Sequence, residues 1–246
     1  MSDGYLGIDL ASQPAGTAAC RLAVEGGRAV VEDLRAGLDD DALDDLRADA
    51  RVVGIDSPFG WPRPFTAAVS AWAVGEGWPG DETVALRFRA TDAAVHERTG
   101  LWPLSVSTDR IGVCAFRCAR LLARWGVVDR AGGAGVAEVY PAAALRCWGL
   151  AARGYKAREP AAHEARAAIV AGLRARCGWL ELSDADVAAC VAVDDVLDAL
   201  VCALLARAVH AGATAQPPAA LSEVAREEGW IHLPTGEIDA LLTIPA

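Results

Sequence analysis

The stretch GIDSPFG (54–60) closes an apolar, β-branched run, RVVGIDSP (51–58), and repeats the Gly-Ile-Asp of GIDLAS (7–12), which lies in a similar run, YLGIDLA (5–11). An aspartate that ends a buried parallel strand stands at the carboxyl edge of the sheet, where open α/β sheets keep their ligand crevices. If the two strands are neighbours, Asp9 and Asp56 face one crevice. The alternative is that each is a turn residue leaving its strand through an Asx turn.

The chain around these runs supplies a sheet for them. TAACRLAVEGGRAVVEDLRA (17–36) reads as two strands turning at Gly26-Gly27, so that with the first run it makes a three-stranded meander. DDDALDDLRAD (39–49) places Leu43 and Leu46 at helical spacing before the fourth strand. A Pro- and Trp-rich stretch (61–81) precedes two helical patterns, 86–100 and 110–126, with Gly100 and Gly126 at their ends. VAEVYP (136–141) reads as a strand, and 142–148 and 160–177 as helices. SDADVAACV (183–191) opens on a Ser cap, and DDVLDALVCALLARAVHAG (194–212) is the strongest helix, capped by Asp194 and closed by Gly212. EGWIHLP (228–234) is expected to be a late edge strand. The pattern predicts one α/β domain over residues 1–246, a mixed sheet flanked by helices, with a mostly helical insertion at about 60–135.

Composition narrows the function classes. With 53% hydrophobic residues in 246, the chain has material for a sizeable core. No apolar stretch is long enough to span a membrane and no secretory leader pattern opens the chain, so a cytoplasmic location is expected. The seven cysteines are scattered without a CxxC pair and the four histidines share no ligand-like spacing, which disfavours a disulfide framework or a zinc site. A net charge of −10 with a single lysine, Lys156, gives no general attraction to a phosphate backbone. Oligomeric state is not legible.

The chemistry concentrates in acids. Asp195 and Asp198 are three apart and share one face of the last long helix, whose apolar stripe ALVCALLA (199–206) is expected to pack on the sheet. Asp195 also suits a helix first turn, where acids favour the macrodipole; Asp198 stands a full turn in, between Leu197 and Ala199. Four carboxylates, Asp9, Asp56, Asp195 and Asp198, converging on one point repel each other unless a cation is present. Mg²⁺ or Mn²⁺ fits such oxygen ligands, and these ions support phosphodiester cleavage.

The order strand with Asp, meander, acidic helix, strand with Asp and late helix with DxxDA resembles the RNase H-like fold, and the DxxDA at Asp195 and Asp198 resembles Holliday-junction resolvases. GIDLA, GIDSPFGWP, Arg89-x-Thr91-Asp92, STDRIG (107–112), EVYPAA (138–143), GYK (154–156), DDxxDAxxCA (194–203) and EGWIHLP together resemble the bacterial family called domain of unknown function 429, over nearly the whole chain. That family is described as a predicted nuclease of RNase H-like fold. The resemblance implies a catalytic set of Asp9, Asp56, Asp195 and Asp198, with Asp9, Asp56 and Asp198 as metal ligands; Glu138 has no obligatory counterpart in the resolvase pattern, and is expected either as a further metal ligand, a strand-borne acid beside Tyr140 and Pro141, or as an edge-facing strand residue.

Arg89, Thr91, Asp92, Asp109 and Arg110 supply groups suited to an anionic substrate, joined by Tyr140 beside Glu138 and by Lys156. For Arg89 the competing expectation is a surface pair with Asp92 along a helix; for Lys156 it is a side chain facing water. Trp61, Trp78 and Trp102 stand in Pro-rich loops, where they stack on bases or fill a small core of their own. The expected function is a metal-dependent phosphodiester hydrolase acting on nucleic acid or a nucleotide-like phosphodiester. The alternatives are a non-catalytic nucleotide- or protein-binding module and an ATP-dependent phosphotransferase, for which AGGAG (131–135) is a poor phosphate turn.

Overall fold

The computed structural model describes residues 3–80, 82–157 and 159–243. Its framework is a six-stranded sheet in the order β5-β4-β1-β2-β3-β6. The strands are β1 (Asp3–Asp9), β2 (Ala18–Glu25), β3 (Arg28–Ala36), β4 (Val52–Asp56), β5 (Val136–Glu138) and β6 (Leu180–Glu181). β1 to β3 form the expected antiparallel meander, while β4 runs parallel to β1 and β5 parallel to β4. The register pairs Gly7 with Gly54 and Asp9 with Asp56, so the two Gly-Ile-Asp runs lie side by side in step.

Alternation along the strands feeds two cores. Leu6, Ile8, Val53 and Ile55 point to one face, where they meet Leu43 and Leu46 of α1 (Asp40–Arg47) and Cys118, Leu121 and Leu122 of α5 (Ile111–Arg124). Tyr5, Leu22 and Val52 point to the other face, against α6 (Pro141–Cys147), α7 (Pro160–Arg176), α8 (Asp184–Ala192) and above all α9 (Asp194–His210). No residue from Val196 to Ala208 in α9 is more than slightly exposed. This all-round apolar character is that of a helix buried between layers.

Between β4 and β5 the chain forms α2 (Arg63–Ala73), α3 (Thr83–Arg87), α4 (Ala90–Thr99) and α5, the helical material expected there. The loop tryptophans pack on their neighbours: Trp61 stacks on Phe116, Trp78 meets Trp72 edge-on, and Trp102 lies between Phe88 and His96. EGWIHLP is not a strand. After α10 (Ser222–Glu228) it makes only isolated bridges, Ile231 to Glu138 and Pro234 to Thr214, because its side chains and backbone are committed to tying the insertion to the sheet. Asp194 is the first residue of α9 rather than its cap, and Val193 takes the flanking position without a side-chain bond.

Candidate metal centre

What brings α9 to the strand ends is the absence of two side chains. A Cβ on Gly7 would stand 2.1 Å from the Ala203 nitrogen and 2.2 Å from the Ala199 oxygen; one on Gly54 would stand 2.7 Å from the Cys202 oxygen. Only glycine lets the helix backbone rest directly on the paired strands. α9 therefore runs antiparallel to β1. At its far end the Tyr5 hydroxyl lies 2.7 Å from His210 Nδ1, and at its near end Asp198 arrives above Asp9 and Asp56.

Carboxylate oxygens of Asp9, Asp56 and Asp198 all lie within 4.8 Å of one another. Asp198 is buried; its Oδ1 accepts a 2.9 Å hydrogen bond from the Tyr155 hydroxyl, and its Oδ2 faces Lys156 Nζ at 2.6 Å. Lys156 also stands 3.7 Å from Asp56 Oδ2, and its side chain stays 44% exposed, so the stem reaches in from solvent to the acids. Burial, then repulsion from Asp198 and Asp56, pushes the Asp9 carboxyl well above its ordinary range. Burial pushes Asp56 up to about 7 although Lys156 opposes it. Burial also raises Asp198, with Lys156 and the Tyr155 hydroxyl pulling it back. For Lys156, burial favours the neutral form but Asp198 and Asp56 outweigh it and hold the ammonium charged. One lysine thus faces three converging carboxylates and does not balance them.

Asp195 is half-buried one turn earlier, within hydrogen-bonding reach of Asp9 but outside the group of three. Glu138 is drawn elsewhere. Its Oε1 and Oε2 accept 2.8 Å bonds from Arg89, and Oε2 also accepts the Phe59 N–H, so both oxygens are committed away from the three aspartates. Arg89 is buried, not a surface residue. Its remaining donors go to Asp92 Oδ1 at 2.8 Å, Asp92 Oδ2 at 3.2 Å and the Glu228 carbonyl at 3.1 Å, which uses all five N–H groups of the guanidinium. Glu228 in turn accepts the backbone N–H of Arg63 and Ala90, and buried Thr91 accepts that of Ile231. Gly229 sits at φ +92, where a Cβ would meet Glu138 Oε2 at 2.5 Å.

The Arg-x-Thr-Asp motif is therefore a buried knot. It joins α4 to β5 and to the 228–231 segment, leaving no donor on Arg89 for a substrate. Asp109 accepts the Ser105 N–H within its own turn, and Arg110 is exposed. Tyr140 lines a cleft of about 350 Å³ together with Asp56, Tyr155 and Lys156. Tyr155 carries part of the site that sequence reading missed; an apolar Tyr beside the only lysine was its signal.

A family model described as "Protein of unknown function (DUF429)" matches residues 7–223. The chain belongs to this family. The matched span holds all three aspartates, Tyr155 and Lys156, while Glu228 and Gly229, which complete the knot of this DUF429 protein, follow it. No curated protein and no solved structure matches the chain. No helix among the described residues is long and apolar enough to cross a membrane.

Proposed function

We propose that this DUF429 protein is a metal-dependent phosphodiester hydrolase of RNase H-like type, acting on nucleic acid or a related phosphodiester, whose Asp9, Asp56 and Asp198 hold Mg²⁺ or Mn²⁺. The observation that carries the reading is the convergence of three carboxylates from two paired strands and one buried helix, with too little positive charge beside them. The donor set fits a hard divalent cation, because it is all oxygen and because three carboxylates within 4.8 Å of one another face a single lysine. Such an ion supplies Lewis acidity to a phosphoryl oxygen and to the attacking water. The chain's own residues do the rest. Tyr155 fixes the Asp198 carboxylate by donating to Oδ1, Asp195 supports Asp9, and Lys156 holds its ammonium against Asp198 and near Asp56. The cysteines, six of them buried, fit a reducing cytoplasm.

A second reading has its own observation. Lys156 Nζ at 2.6 Å from Asp198 is itself a cation for the cluster, and a non-catalytic binding module would keep it there permanently. Asp198→Asn separates the two. Asparagine still accepts from Tyr155 but loses the charge that holds a divalent ion. The metal-free variant is expected to melt within about 1 kcal/mol of wild type in stability, since one of several repelling carboxylates is removed. Added Mg²⁺ or Mn²⁺ should stabilise wild type and not the variant. Cleavage of phosphodiester substrates, nucleic acid or small diester, should fall by at least the roughly 10–100-fold that even an outer-shell loss costs a metal site. A destabilised but fully active variant overturns the proposal, and a wild type indifferent to metal favours the lysine-neutralised module.

A further inference from the structure

The cleft beside the aspartates has two kinds of wall. Asp56 and Lys156 bring the acid cluster into its lining. Leu104, Ile111, Val139, Ala142 and Ile231 line it as well, an apolar lining joined by the rings of Tyr140 and Tyr155. Its volume, about 350 Å³, is at the small end of organic-ligand pockets, which run from roughly 300 to 1,000 Å³. It has room for one ring and its phosphate.

The charges around it argue against a polymer. Among the described residues, the charged ones lining the cleft are Asp56, Glu138, Arg89 and Lys156, and both cations are already in contact with acids. Exposed Arg110 and Arg153 each adjoin a lining residue in sequence, Ile111 and Gly154. Among the described residues that is no basic track, and the chain as a whole carries −10. A nucleic-acid strand needs a succession of phosphate contacts that this surface does not offer.

Building on the metal-dependent hydrolysis proposed above, we infer that the substrate is a small organic phosphodiester carrying one flat, largely apolar group, which seats against Tyr140 and Ile111 while its phosphate lies over the aspartates. In the reaction the oxygen of water forms a new bond to phosphorus and the bond to one ester oxygen breaks. The bonding pair leaves with that oxygen, which takes one proton of the water, and the other proton remains with the phosphomonoester. The products are an alcohol and a phosphomonoester that keeps the flat group in the cleft.

The test compares phenyl phosphate with methyl phosphate, which share the phosphomonoester group and differ in the ring. Both are titrated calorimetrically into the Mg²⁺-loaded full chain. Wild type should bind phenyl phosphate on the order of tenfold more tightly, the yield of burying one ring in an apolar slot. Ala152→Trp, which fills the cleft from its loop side, should erase that preference while leaving methyl phosphate binding and the Mg²⁺-induced rise in Tm unchanged. Leu104→Ser, at a side chain 60% exposed and so harmless to folding, should reduce the preference several-fold. Equal affinity of wild type for the two esters overturns the inference and leaves the metal reading standing. So does a single-stranded oligonucleotide that binds more tightly than phenyl phosphate and ignores Ala152→Trp. A wild type whose Tm does not respond to Mg²⁺ overturns the metal reading and this inference with it.

Discussion

Two buried charge clusters lie close together, and they differ in how their books close. In the knot, one guanidinium spends five N–H groups on two carboxylates and a carbonyl, so that Arg89, Asp92 and Glu138 satisfy one another. At the strand ends, three aspartates face one lysine that also reaches solvent. A structural ion cluster is closed, because an unpaired buried charge is costly to keep. A cluster left over-acidic, held in place by glycine contacts and a tyrosine hydroxyl, stores unfavourable charge that a ligand can relieve. The difference separates scaffold from candidate chemistry more surely than residue type does, since Asp92 and Asp56 are the same amino acid.

The largest effect that would break this contrast is expected from Arg89→Met. It leaves Asp92 and Glu138 buried without a cation, and loss of one partner from such a cluster costs about 3–5 kcal/mol. Thermal or urea melts should show that loss, with no rescue by Mg²⁺. A variant that melts like wild type would mean that the knot is not structural. Gly7→Ala comes next. Its Cβ has backbone on the far side, so strand and helix must part, at roughly 1–3 kcal/mol for overpacking. Unlike Arg89→Met, it should also blunt the stabilisation by Mg²⁺, because α9 carries Asp198 away from the strands; undiminished stabilisation would detach the site from the glycine contact.

The smallest effect is a drift with pH. Asp56 is shifted up to about 7 from 3.8, so between these values the folded chain holds a proton that the unfolded chain has released. Its contribution is complete below about pH 4 and is lost as pH rises through 7. Asp9, raised by burial and by Asp198 and Asp56, acts in the same direction. Chelator-treated protein should therefore lose stability from pH 5 to pH 8 more steeply than Asp56→Asn, and Mg²⁺ should reverse the trend most strongly at the alkaline end. Parallel profiles for the two chelator-treated proteins would contradict the over-acidic description.

Much of the sheet could be read from the chain, because β1, β4 and α9 carry strong local patterns: short β-branched runs for the strands and a long apolar helix with acids in its first turns. Asp9, Asp56 and Asp198 followed from those elements. The glycines before the strand acids were visible but mute, since their purpose depends on a helix nearly two hundred residues away from Gly7. Arg89 was legible as a partner of Asp92, yet its burial is decided by Glu138 and the Glu228 carbonyl, which no local period reports. The same limit left Lys156 between an anion contact and a side chain facing water: a lone lysine in a loop has no pattern, and only the tertiary fold sets it between Asp198 and Asp56. β6, with two residues, and α10 were too short to leave a periodic signal.

The seating of α9 on Gly7 and Gly54 also sets a timetable. β1 and β4 can pair early, since a local meander and one helix separate them, but the third aspartate belongs to a helix that emerges from the ribosome long after both strands. Contacts of such sequence separation form late and slow folding. Asp198 therefore stays apart from the paired Asp9 and Asp56 in the nascent chain, and the site comes into being only when α9 docks, in the same step that completes the core.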